Sequence, residues 1–167
     1  MRVSSVVPPV PPEVVDPLPP LEFPRVNVSG EQAVPDRLRG LTSLRHLEVV
    51  DLRDVDVFDH LAAPPRALEI AGTGRAFPLH RLPSVATLEA LRLNGVRAEV
   101  DCAVFRELPE LVDLTVLNSR RIVNVEALPD CPKPAGTTFA DCGNPFKKQG
   151  KALFEARGFA RPDVDFS

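Results

Sequence analysis

The sequence predicts an α/β repeat solenoid. Short parallel strands stack copy on copy, irregular, 3₁₀ or short helical segments return the chain, and a C-terminal helix caps the stack. Three observations support this. Six segments share one apolar pattern at intervals of 21, 21, 23, 23 and 23 residues. Each interval holds a second apolar set beyond the first. A proline-rich start and a helix-like end bracket the array.

The unit is plainest in LEALRL, residues 88–93. On a helix, Leu91 and Leu93 would lie about 200° apart. On a straight strand they share a face, and Leu88 points away. A chain that bends into a short strand just before Leu91 buries all three. Five more segments align on the same places: FPRVNV (23–28), LRHLEV (44–49), PRALEI (65–70), LVDLTV (111–116) and PAGTTF (134–139). The fourth place reads Val26, Leu47, Leu68, Leu91, Leu114 and Thr137, and the sixth Val28, Val49, Ile70, Leu93, Val116 and Phe139.

A period in the low twenties with an L-x-x-L-x-L core resembles the leucine-rich repeat family over roughly residues 23–145. The ninth place, usually Asn or Cys in that family, reads Glu31, Leu52, Thr73, Val96, Ser119 and Cys142. Cys142 matches, and the hydroxyls of Thr73 and Ser119 can partly substitute. The resemblance implies a leucine-rich repeat arc. Places four and six point inward from one parallel sheet on the concave face, and return segments form the convex side. The second apolar set falls on those returns: Leu38 and Leu41, Val55 and Phe58, Leu82 and Val85, Phe105 and Leu108, Val125 and Leu128. Pro83, Pro109 and Pro129 near their ends favour 3₁₀ or extended turns over long helices.

The chain divides into three parts. Residues 1–22 hold seven prolines and read as an extended linker or lead-in rather than a docking peptide, because no basic residue flanks the P-x-x-P spacing. Residues 23–143 are the array. Residues 144–167 are a capping helix and tail: Asn144 can cap, Pro145 can start, Gly158 can stop, and Phe146, Gly150, Leu153 and Phe154 share a face. Such a face would cover the open end of the last copy, which a repeat array requires.

At 167 residues and 44% apolar, the chain can build one domain with a core. A net charge of −3 predicts no nucleic-acid partner and no attraction to anionic membranes. No apolar run is long enough to span a bilayer. MRVSSVVPPVPP has one positive charge, Arg2, and prolines interrupt its valines, so no secretory signal is expected. Cys102, Cys131 and Cys142 are odd in number and unclustered, which points to a reduced, cytoplasmic chain. Arginine rich and lysine poor, the sequence also suggests a GC-rich bacterial coding sequence.

Catalysis finds little support. His46, His60 and His80 have no Ser or Cys partner at a nucleophile spacing. In DLRDVDVFDH, Asp51, Asp54, Asp56, Asp59 and His60 could suggest a hard-cation site, but the run lacks the glycine and late glutamate of a calcium loop. Its valines and phenylalanine read as core, and its aspartates as solvent-facing. Gly72 and Gly74 lack the rest of a phosphate-loop motif and fit the turn after a strand. No C-x-x-C supports a zinc site, and nothing argues for an activated thiol. No cofactor and no metal are expected.

By position, the resemblance places function on the exposed places of the parallel sheet. The predicted partner-binding residues are His46, Glu48, Glu69, Arg92, Asn94, Asp113 and Thr115, around a middle of Ala67, Ala71 and Ala90. The blander alternative is that Glu69 and Arg92 simply pair across adjacent strands. With no Tyr or Trp in the chain, the usual aromatic anchors of a tight interface are missing. The expected function is a protein-interaction module without catalysis, its protein partner and oligomeric state open. The alternative is the C-terminal sensor region of a larger nucleotide-binding signalling protein, with the proline-rich start as an interdomain linker. An enzyme ranks last, since no residues remain for a separate catalytic domain.

Overall fold

A computed structural model describes residues 25–29, 38–53, 55–131, 136–143, 148–149, 152 and 164–165. In chain order the strands are β1 Arg25–Ser29, β2 His46–Val50, β3 Ala67–Ala71, β4 Ala90–Asn94, β5 Val100–Asp101, β6 Asp113–Leu117, β7 Ile122–Val123, β8 Gly136–Ala140 and β9 Val164–Asp165. Seven of them form one sheet in the order β1-β2-β3-β4-β6-β8-β9, and every adjacent pair is parallel. A second sheet pairs β5 with β7, also parallel.

The register is the one the aligned segments predict. Fourth places pair in series, Val26, Leu47, Leu68, Leu91, Leu114 and Thr137. Sixth places pair likewise, from Val28 through Val49, Ile70, Leu93 and Val116 to Phe139. Strand side chains alternate faces, so from Leu47 and Val49 onward both rows point the same way. From Leu47 to Phe139 they are buried. Leu88, Leu91 and Leu93 are at most 1% exposed, which answers the geometry of LEALRL: Leu88 lies before the strand, where the chain bends. Each such leucine contributes about 1.5–3 kcal/mol of burial.

The return segments supply the facing layer. Among the described residues they contain four 3₁₀ helices: η1 Phe58–His60, η2 Leu79–Val85, η3 Cys102–Glu107 and η4 Val125–Asp130. Pro83 lies within η2 and Pro129 within η4, where a missing N–H costs less than in a long α-helix. Leu38, Phe58, Leu82, Val85, Phe105, Leu108, Val125 and Leu128 are buried as expected. Val55 is only half-buried, and Val57 takes the core position beside Phe58.

One device holds the exits of β2, β3, β4, β6 and β8. Asp51, Gly72, Gly95, Asn118 and Asp141, the eighth place of successive copies, all adopt positive φ between 52° and 65°. Gly, Asn and Asp tolerate this left-handed conformation best. Each N–H of the first four donates to the carbonyl of the seventh-place residue one copy on, at 2.9–3.1 Å. The parallel ladder thus continues into the turn.

Inside the turn the ninth place forms a broken polar ladder. Val96 N–H donates to Ser119 Oγ at 3.2 Å, and Ser119 N–H donates to Cys142 Sγ. Thr73 departs from expectation. Its hydroxyl is buried and without a hydrogen-bond partner.

At the C-terminal end, Lys148, Gln149 and Ala152 are helical within the segment predicted to cap the array. The rest of that helix, and the whole of residues 1–22, lie outside the described residues. The tail adds an unpredicted element, β9, pairing Thr137 with Val164 and Thr138 with Asp165 on the edge of β8.

Candidate functional site

Alternation along the strands sends the odd-numbered places of each copy to the sheet's other, half-exposed face. There the register forms three rows. His46, Ala67, Ala90 and Asp113 align in the first. Glu48, Glu69, Arg92 and Thr115 make the second, and Val50, Ala71, Asn94 and Leu117 the third. Parallel strands lie about 4.8 Å apart, so neighbours in a row are within side-chain reach.

Paired alanines lower the middle of this face. Above Ala67 and Ala90 lies a shallow depression of about 250 Å³, rimmed by His46, Glu69, Arg92, Asp113 and Thr115. The structure therefore brings five of the seven predicted residues around one hollow. Glu48 and Asn94 stand on the same face outside its wall. Asn94 is also engaged: its Oδ1 accepts from Asn118 Nδ2 at 3.0 Å, across to the next strand exit.

Rim contacts are loose. Arg92 Nε lies 3.7 Å from Glu69 Oε1, with the two side chains 52% and 21% exposed. Thr115 Oγ1 reaches Asp113 Oδ1 only at 3.5 Å. Exposed pairs of this kind hold about 0–1 kcal/mol, so partner groups can compete for them. The cross-strand pairing weighed from the sequence is present, and it leaves the Arg92 side chain half in solvent.

The remaining chemical candidates take structural roles. Asp56 Oδ2 and Asp59 Oδ1 both meet Arg81, and Asp56 Oδ1 accepts from Phe58 N–H at 3.0 Å at the start of η1. Those contacts hold the Arg81 guanidinium above its ordinary value, through the Asp59 hydrogen bond first and the charge of Asp56 next. Among the described residues, no group of three or more His, Cys, Asp or Glu side chains is placed to hold a metal ion. His80 lies exposed on η2, and His60 lies half-buried on η1, 3.4 Å from Arg39.

All three cysteines are free thiols. Burial pushes Cys102 far up and Cys131 up to about 11, and it also raises Cys142. A thiol held protonated is a poor nucleophile. Cys142 Sγ lies 3.3 Å from Ala140 O and 3.4 Å from Val116 O, and so closes the turn.

No helix among the described residues is long and apolar enough to cross a membrane. No family model, curated protein or solved structure matches the chain.

Sequence reasoning placed Gly72 in the turn after a strand but missed that the eighth place repeats this role from Asp51 to Asp141, and it missed the pairing of β5 with β7. A signal for the first was present: every eighth place from Asp51 to Asp141 is Gly, Asn or Asp. The second had no comparable signal, since Val100–Asp101 and Ile122–Val123 are two residues each.

Proposed function

We propose that this chain is a leucine-rich repeat arc acting as a protein–protein interaction module. A segment of a protein partner lies against the half-exposed sheet face, read here as the concave side, and the chain performs no catalysis of its own. The observation that carries the reading is the hollow over Ala67 and Ala90 with its ring of polar and charged side chains. Small residues on this face leave room for a larger side chain from outside. The chain has no Tyr or Trp, so the anchoring bulk must come from the partner. Glu69, Arg92 and Asp113 then set register and steer encounter. Three free thiols, two of them buried, suit a reducing compartment such as the cytoplasm.

The test is affinity capture from source-cell lysate, with mass spectrometric identification. Wild type is compared with a folded Glu48→Arg, Glu69→Arg, Arg92→Glu variant. A protein retained by wild type and lost by the variant supports the reading, and equal recovery by both moves the interface off this face.

A further inference from the structure

The hollow on the sheet face combines an apolar floor, a spare acceptor and a loosely held cation. Ala67 and Ala90 lie side by side on β3 and β4, about 4.8 Å apart, and form the floor. Asp113 closes one end. Its row neighbours are Ala90 and Gly136, so neither β4 nor β8 sets a polar side chain beside it in that row. Among the described residues, the one hydrogen bond it accepts is the long one from Thr115 Oγ1, at 3.5 Å. Arg92 stands on the long wall. Glu69 meets it at Nε, at 3.7 Å, and about half of the Arg92 side chain is in solvent. His46 stands at the far end, three strand steps from Asp113, or about 14 Å.

We propose that the hollow receives a tryptophan side chain of the partner segment, its ring on Ala67 and Ala90, its indole N–H donated to the Asp113 carboxylate and its π face turned to the Arg92 guanidinium. The inference rests on the sheet-face reading and names the occupant of that face. Size is the first argument. An apolar cavity of about 150 Å³ takes one benzene ring, and this hollow of about 250 Å³ takes a larger one. Charge is the second. A partner lysine or arginine would meet Asp113 but would be set against Arg92. A partner carboxylate would meet Arg92 but would be set against Glu69 and Asp113. A neutral ring that gives Asp113 a donor and Arg92 a π face suits both. Among side chains, indole is the strongest cation–π acceptor, and its nitrogen only donates. Phenylalanine has the ring without the donor, and leucine has neither.

The test is nuclear magnetic resonance on the full chain labelled with ¹³C at its alanine methyls, titrated with acetyl-Gly-Trp-Gly-amide. A twin with a 1-methylindole ring, which lacks the N–H, and the lysine and leucine versions of the peptide are titrated alongside. The chain has no tryptophan, so indole fluorescence reports the peptide alone and gives a second measure of affinity. The expected result is saturable upfield ring-current shifts of the Ala67 and Ala90 methyls, with Ala86 on an exposed return segment unmoved, and a Kd of about 1 mM or tighter. The methylated twin should bind wild type about fivefold more weakly, and Asp113→Ala should bind both peptides alike. Arg92→Gln should weaken the tryptophan peptide about threefold. Equal binding of the twin to wild type, tighter binding of the lysine peptide or equal binding of the leucine peptide would overturn the proposal. So would the lack of any saturable shift at Ala67 and Ala90. If capture from lysate then still depended on Glu48, Glu69 and Arg92, the occupant would fall and the sheet-face reading would stand.

Discussion

Glu69 and Arg92 face each other across β3 and β4, with Oε1 and Nε 3.7 Å apart, and each stands beside an alanine of the neighbouring row. The pair borders the hollow without closing it. A double-mutant cycle on Glu69→Gln and Arg92→Gln should give a coupling of about 0.5 kcal/mol or less in thermal melts. A coupling several times larger would mean that the pair is committed to the fold.

Leu91 and Arg92 are consecutive, yet they point to opposite faces, with Leu91 1% exposed and Arg92 exposed. Leu91→Asp should leave an unpaired charge in the core and unfold the protein, whereas Arg92→Asp should keep the native circular dichroism spectrum. Leu91→Ala should cost about 2–5 kcal/mol. Equal tolerance of both aspartates would refute the register.

The ninth place offers a pair of opposite signs. Ser119→Ala strands the buried Val96 N–H and should destabilise by about 1–3 kcal/mol. Thr73→Val removes a buried hydroxyl that has no partner and should stabilise by about 1 kcal/mol. Denaturant midpoints of the two variants should move in opposite directions.

Two glycines with the same conformation should respond differently. At Gly95, φ is +61° and a Cβ would meet nothing within 4 Å, so Gly95→Ala should cost about 1 kcal/mol of backbone strain. At Gly72, φ is +65° and an added Cβ would run into Asp51 Oδ1, which must swing aside, so Gly72→Ala should cost slightly more. Restoring part of that difference with Asp51→Gly would confirm the contact.

Cys131 links stability to alkaline pH. Burial pushes its thiol from 9.0 to about 11, so the unfolded chain ionises first as pH rises. The unfolded state then binds fewer protons than the folded one. The contribution is fully present below pH 9 and is lost as pH climbs toward 11. Cys131→Ala should flatten the fall in melting temperature across that window, and an unchanged slope would contradict the shift.

Much of this fold was legible because its signal repeats. Leu47, Leu68, Leu91 and Leu114 occupy one place in four copies, so aligning the copies also aligns the strands. The face of the candidate site came from the family resemblance, with strand alternation saying which places share it; Ala67, Ala71 and Ala90 were placed in its middle, but the hollow over Ala67 and Ala90 was not foreseen. Features that depend on a relation between two copies were hidden. The Ser119 hydroxyl matters only because the Val96 N–H of the preceding copy stands opposite it. The Val164–Asp165 strand was hidden for another reason: two residues carry no readable period.

The most direct test of the central claim fills the hollow. Ala90→Trp places an indole over the floor between Glu69 and Asp113, and Ala86→Trp adds the same bulk on an exposed return segment. Affinity of each folded variant for the captured partner is measured by titration calorimetry. An interaction face on this sheet predicts at least about tenfold weaker binding for Ala90→Trp and no change for Ala86→Trp. Equal affinity of both variants with wild type would contradict it.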